Sequence, residues 1–402
     1  MKLYEINPVV CRANTVQAIE IRPLYEHVMF EDRAYEVVSI AMETHERETL
    51  NVKASWGTLK FSLKFGTEQE YTILADGLRF SIYCLGGDIY EKNPYKGDFH
   101  IHSNKSDGHE DPAFVAVSAR SIGMDFIAVT DHKRYWPSLE AIERLKGFES
   151  DFLILPGEEI HPPDNPVHMI NFGGICSINE MFDEQYMAYV ESAGQRHPLN
   201  AETSKIYASC EWCFQEIEKS GGISILCHPY WITSENCYSI ETALLDHFID
   251  KRPFTALELL GGHETESNVL QVAYYNQKRA EGKKIPVVGV SDAHSSIDGD
   301  FFGWTYTIVL ADELSLKGIK EGLENGLSVA VESLPGEATR MYGDFRLVKY
   351  SMFLNRVYFP YHDEDCESEA RKMFAYIREE VAAMDYFGTN KLSGVNSRTI
   401  YL

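Results

Sequence analysis

At 402 residues the chain has room for two or three domains, and 44% hydrophobic with 24% charged residues is the make-up of an ordinary globular protein. A formal net charge of −24 works against binding along a phosphate backbone, so long nucleic acid is not an expected partner, while a small anion held by cations stays open. No apolar run reaches membrane-spanning length, residues 1–22 lack a basic region followed by an apolar core, and eight scattered cysteines show no disulfide framework; a cytoplasmic protein with no membrane partner is expected.

Residues 19–85 alternate apolar and polar in short runs, for example 35–40, 59–65 and 78–83, with Gly57, Gly66 and Gly86-Gly87 as turns. That is the pattern of half-buried antiparallel strands. A small all-β, sandwich-like accessory domain is expected over 1–95. It holds no cluster of ligands or acid–base pairs, so its expected role is contact with a protein partner or another subunit.

The rhythm changes after the linker 88–96. A short apolar strand runs into Gly97-Asp98-Phe99-His100-Ile101-His102-Ser103, and His100 and His102, two apart, project from one strand face. Asp107 follows in the loop. Asp111 then caps a helix with Pro112 at its first position. The continuous apolar run 126–130 ends in Asp131-His132, 152–155 ends in Pro156-Gly157-Glu158-Glu159, and 167–172 carries His168. Such uninterrupted runs suit strands buried on both faces. A long insertion contains a helix around 181–191 and a loop to 203. An amphipathic helix over 204–219 stops at Gly221-Gly222. Further strands end in Cys227-His228-Pro229, Gly261-Gly262-His263 and Ser291-Asp292-Ala293-His294, with another over 303–310 and a helix over 314–324. Six or seven alternating strand–helix units over 96–335 predict an α/β barrel, whose functional groups sit at the C-terminal strand ends. The tail 336–402, with helical periodicity over 346–356 and 368–384, is expected to pack on the barrel as a mostly helical appendage.

The polar groups at those strand ends are His100, His102, Asp107, His132, Glu159, His168, His228, Asp292 and His294. A single strand-end histidine is ordinarily structural. Nine ionisable groups on one rim are not, because polar groups without partners cost free energy when desolvated. Divalent cations satisfy them, and a mixed histidine–carboxylate set suits Zn, Mn or Fe.

The ordered segments Asp98-Phe99-His100-Ile101-His102-Ser103, Thr130-Asp131-His132, Gly157-Glu158-Glu159, Cys227-His228-Pro229 and Ser291-Asp292-Ala293-His294 resemble the successive motifs of the PHP (polymerase and histidinol phosphatase) family, over 96–332. The resemblance implies a distorted (β/α)7 barrel with two or three divalent ions. It also implies His100, His102, Glu159 and Asp292 on a first ion, Glu159 bridging to a second held by His168 and His228, and Asp107, His132 and His294 on a third. Catalysis would rest on His100, His102, Glu159, His228, Asp292 and His294. The implied activity is metal-dependent hydrolysis of a small phosphorylated substrate, since cations lower the pKa of water and offset the charge of a phosphate ester. Two other readings stay open: a nuclease or nucleotide phosphodiesterase of the same family, and a non-catalytic, metal-stabilised regulator.

Other groups have weaker claims. Lys133, Arg134, Arg196, His197 and His263 are substrate-contact candidates, each with an ordinary structural alternative. Asp131 either orients His132 or caps the following helix, and Asp98 is equally ambiguous. Cys210-Glu211-Trp212-Cys213 has CxxC spacing inside a helix with no second pair, and reads as two buried thiols.

Overall fold

In the computed structural model, which describes residues 2–262, 265–299 and 301–378, the chain divides into two units. The first comprises 2–92 with 352–362, the second 93–351 with 363–378. His263 and the end of the tail helix expected over 368–384 lie outside the described residues.

The first unit is built from alternation. In Ala34–Ala41, Tyr35, Val37, Ser39 and Ala41 are buried while Ala34 and Glu36 are exposed, the two-residue period of a strand with one face inward. This strand belongs to a five-stranded sheet in the order Val10–Arg12, Leu78–Leu85, Gln69–Ala75, Ala34–Ala41, Arg47–Lys53. A three-stranded antiparallel sheet pairs Tyr4–Asn7 and Leu59–Phe65 on either side of Thr15–Pro23. Phe65 of one sheet meets Tyr71 of the other edge-on, 4.9 Å between ring centroids. Ile21, Val37, Leu59, Ile73 and Ile82 are fully buried, each a contribution of about 1.5–3 kcal/mol. Residues 352–362 of the tail group here rather than with the larger unit, because fully buried Phe353 packs on Tyr83 at 5.3 Å.

The second unit is mixed α/β. One sheet runs Leu153–Ile154, Phe126–Ile127, Asn93–Asp98, Thr305–Ala311, Ser328–Glu332, Arg340–Gly343. The other runs Gly157–Ile160, Met169–Phe172, Ile223–Leu226, Ala256–Leu260, Val287–Gly289. Helices fall where the capping chemistry puts them. Asp111 accepts from the Ala113 N–H with Pro112 in the first turn of Pro112–Ser121, and Asn200 caps Ala201–Lys219.

The named strands do not form a ring of seven parallel members. Met169–Phe172 is antiparallel to both neighbours, and Thr305–Ala311 is antiparallel to Asn93–Asp98. An uninterrupted apolar run reports burial on both faces and carries no direction. The eight residues between Ile160 and Met169, with Pro162-Pro163 among them, are too few for the crossover that a parallel pair requires. Two isolated parallel bridges, Ile101↔Ala293 and His132↔Glu159, link the two sheets.

Candidate metal centre

Backbone pairing delivers the polar groups to one place. Where the named strands end, single hydrogen bonds continue the pairing: Asp292 N–H to His100 O (2.8 Å), His102 N–H to Ala293 O (3.0 Å), Thr130 N–H to Ile101 O (2.8 Å), Lys133 N–H to Glu159 O (2.9 Å) and Cys227 N–H to His168 O (3.2 Å). His168 precedes an antiparallel strand, and for that reason it reaches the same pole as residues that follow parallel ones. Below them Phe99 packs against Phe126 and Phe172, with ring centroids 5.1 and 4.6 Å away, a fully buried apolar floor.

At the centre is the Glu159 carboxylate, fully buried. Six imidazoles face it: His168 Nδ1 at 2.8 Å, His161 Nε2 at 3.3 Å, His228 Nε2 at 3.5 Å, His100 Nε2 at 3.6 Å, His102 Nε2 at 3.7 Å and His132 Nδ1 in close contact. Asp292 Oδ1 lies 2.9 Å from His102 Nε2 and 3.2 Å from His100 Nε2. Nearer the mouth, Asp107 lies 3.2 Å from His132 Nε2 and 3.4 Å from His294 Nε2, with His102 Nδ1 at 3.9 Å. Asp107 is 54% exposed, whereas His100 and His102 have no exposed side-chain surface.

A metal cluster fits these residues. The buried atoms His100 Nε2, His102 Nδ1, His168 Nδ1 and both Glu159 oxygens make no hydrogen bond, although nitrogen and oxygen stand within 4 Å of each other. Buried polar atoms are ordinarily hydrogen-bonded, and donor atoms crowded at such separations without hydrogen-bond geometry are arranged as ligands of shared cations. The electrostatics agree. Burial pulls His132 down, but Glu159 and Asp107 outweigh it and push the ring up to about 9. Burial likewise lowers His100, and Asp292 and Glu159 raise it well above the imidazole range. Burial would raise Glu159, yet the surrounding histidines hold it well below the carboxylate range. Each shift expresses the demand of desolvated carboxylates for positive charge.

Supporting groups hold the cluster. Asp131 neither orients His132 nor caps a helix. It accepts from Ser103 N–H (2.9 Å), Ser103 Oγ (2.6 Å), Ser106 N–H (3.1 Å) and Ser106 Oγ, fixing the loop between the paired histidines and Asp107. Asp98 accepts from the N–H groups of His100 (3.1 Å) and Ser291 (3.0 Å). Glu158 points to the other face of the strand, where Asn171, Ser177, Ile178 N–H and Asn179 donate to it. His228 and Asp292 adopt φ of +21° and +48°, left-handed values that cost a side-chain-bearing residue about 1–3 kcal/mol and that concentrate at functional sites.

Two groups at the cluster escape the sequence reading. His161, two residues after Glu159 and just past the end of its strand, points to the same side, with Nε2 3.3 Å from Glu159 Oε2. Glu258 is a lone carboxylate inside the apolar strand Ala256–Leu260, and its Oε2 lies 3.2 Å from His100 Nδ1. The spacing from Glu159, and a charge in an apolar run, were the available signals.

The substrate-contact candidates are dispersed. Lys133 and Arg134 are exposed immediately after His132. Arg196 and His197 lie elsewhere, lining a cleft of about 1070 Å³ with Ser224 and Thr255, at the opposite ends of the strands from His228. The antiparallel course of Met169–Phe172 sends the insertion that follows it to that pole. Cys210 and Cys213 are fully buried in their helix.

No family model and no curated protein matches the chain. Among solved structures it is similar to a two-domain protein of Bacteroides vulgatus containing a predicted PHP-like metal-dependent phosphoesterase, at 21% identity and a TM-score of 0.43 over 60% of this chain. That match takes in 65% of the Bacteroides chain, just under two thirds. A candidate metal-dependent phosphoesterase of Bifidobacterium adolescentis matches at 19% identity and a TM-score of 0.36, over 50% of this chain and 89% of the other. An amidohydrolase of Chromobacterium violaceum with bound sulfate and no metal matches at 17% identity and a TM-score of 0.34, over 51% and 88%.

Proposed function

We propose that this chain is a metal-dependent phosphoesterase of the PHP type that hydrolyses a small phosphorylated substrate, and we read its two bridged sheets as a distorted (β/α)7 barrel. One observation carries the reading: a fully buried carboxylate, Glu159, ringed by six imidazoles, with its oxygens and several ring nitrogens lacking hydrogen bonds. His100, His102, Glu159 and Asp292 would hold one divalent ion, Glu159, His168 and His228 a second, and Asp107, His132 and His294 a third, with Zn, Mn or Fe the metals the ligand chemistry suits. When bound, such ions make water a competent nucleophile at neutral pH and neutralise phosphate oxygens. The chain's own groups do the rest. Glu159 and Asp292 supply the buried negative charge that retains the ions. Asp131 fixes the Ser103–Ser106 loop and with it Asp107. Lys133 and Arg134, exposed beside His132, would meet a substrate phosphate arriving from solvent.

The net charge of −24 favours a small substrate over a nucleic-acid strand. Phosphate release from a broad panel of phosphomonoesters and phosphodiesters, by protein loaded with metal and by the same protein after chelation, tests the reading. Turnover that disappears with chelation and returns with metal is expected. A loaded preparation that cleaves nothing on the panel would refute the phosphoesterase.

A further inference from the structure

We infer that His161 is itself a ligand of this centre, giving the Glu159 cluster one imidazole more than the motifs provide. The inference rests on the metal-cluster reading above and extends it to a residue outside the ligand set those motifs imply.

The local chain aims the ring. Ile160 turns fully buried into the apolar core, so its neighbours Glu159 and His161 point together to the other side. The backbone is pinned by one side chain: His161 N–H donates to Asn179 Oδ1 (3.1 Å), and Asn179 Nδ2 donates to Glu159 O (3.0 Å). The ring is pinned by two others. It stacks on His168 with centroids 3.8 Å apart at 23°, and meets His132 edge-on at 4.7 Å.

Its Nε2 then lies 3.3 Å from Glu159 Oε2 and 2.9 Å from His132 Nδ1. Ligand bonds of about 2.0–2.2 Å at tetrahedral or octahedral angles place neighbouring donor atoms roughly 2.9–3.5 Å apart, so the separation of His161 Nε2 from Glu159 Oε2 is that of two ligands around one cation. An imidazole nitrogen beside a carboxylate oxygen suits a borderline first-row divalent ion better than magnesium or calcium. Unlike His100 and His102, whose side chains have no exposed surface, His161 keeps 17% of its side chain exposed, which gives this side of the cluster access to solvent.

The test is a Co²⁺ titration of metal-free wild type, His161→Asn and His161→Gln, read by ions retained per chain and by the visible absorption of the bound metal. Circular dichroism of the metal-free proteins checks the fold. One ion fewer per chain, or a dissociation constant for the weakest ion raised by at least about tenfold together with an altered absorption band, is expected. Equal counts with an unchanged band would overturn the inference. Weaker binding with an unchanged band would also overturn it, making His161 a support for His132. Wild-type protein that binds no Co²⁺ would defeat the metal reading itself, a result visible without any variant. Nitrogen NMR of Zn²⁺-loaded wild type reads the same bond should both variants unfold: a metal-induced shift of His161 Nε2 is expected, and its absence overturns the assignment.

Discussion

Glu258 bears on the cluster without facing Glu159. Fully buried on its strand, it presents Oε2 to His100 Nδ1 at 3.2 Å and so turns His100 Nε2 toward Glu159 and Asp292. A carboxylate behind a ligating imidazole fixes its tautomer and raises its basicity. Glu258→Gln keeps the volume and removes the charge, and metal affinity measured by competition with a chromophoric chelator is expected to fall about 10–100-fold. His132 sets the pH dependence. Its folded value of about 9 lies above the roughly 6.5 of an unfolded imidazole. The attraction of protonated His132 to the Glu159 and Asp107 carboxylates therefore stabilises the metal-free fold fully below about pH 6.5, and that contribution is lost as pH rises through about 9. Thermal unfolding of metal-free protein should show the midpoint falling over this window in wild type and falling less in His132→Gln. Ion uptake should tighten over the same window, because the metal displaces the proton. At this scale the sequence was legible wherever a histidine or carboxylate closed an apolar run, as with His132, His228 and Asp292. His161 and Glu258 were not, since a single polar residue within a strand or just past its end reads as an ordinary one until its neighbours in space are known.

Among elements, the loop carrying Asp292 depends on a close approach. A Cβ on Gly262 would lie 1.7 Å from Ser291 O and 2.8 Å from Phe301 Cβ. Gly262→Ala therefore has to push the Ser291–Asp292 segment away, and Asp292 already sits in a left-handed conformation. A loss of about 1–3 kcal/mol in urea unfolding is expected, together with fewer bound ions per chain. The element whose course mattered most to function was also the least legible. Met169–Phe172 reads as one more buried strand, and its reversal both brings His168 to the metal pole and carries Arg196 and His197 away from it. The short Pro-containing link before it was the physical clue, since a parallel return requires a longer crossover.

For the molecule as a whole, the β-rich unit and the mixed α/β unit were separable from hydrophobic rhythm, two-residue alternation giving way to continuous apolar runs. Strand direction and the tail were not. Helical periodicity over 346–356 says nothing about which core receives the buried face, and Phe353 goes to the β unit. Among the described residues, no helix is long and apolar enough to cross a membrane. A cluster that holds carboxylates and imidazoles together should tie stability to cations, because an ion bound only by the folded state adds about 2.7 kcal/mol at a hundredfold excess over its dissociation constant. Chelation is expected to lower the unfolding midpoint by several degrees, and divalent metal to restore it.

The most direct measurement is elemental analysis of desalted protein, wild type beside Glu159→Gln. The wild type should retain at least two divalent ions per chain, and Glu159→Gln, without the carboxylate that six imidazoles face, should retain fewer. A wild-type chain with less than one ion, or a Glu159→Gln variant with an undiminished count, would contradict a metal centre built on Glu159.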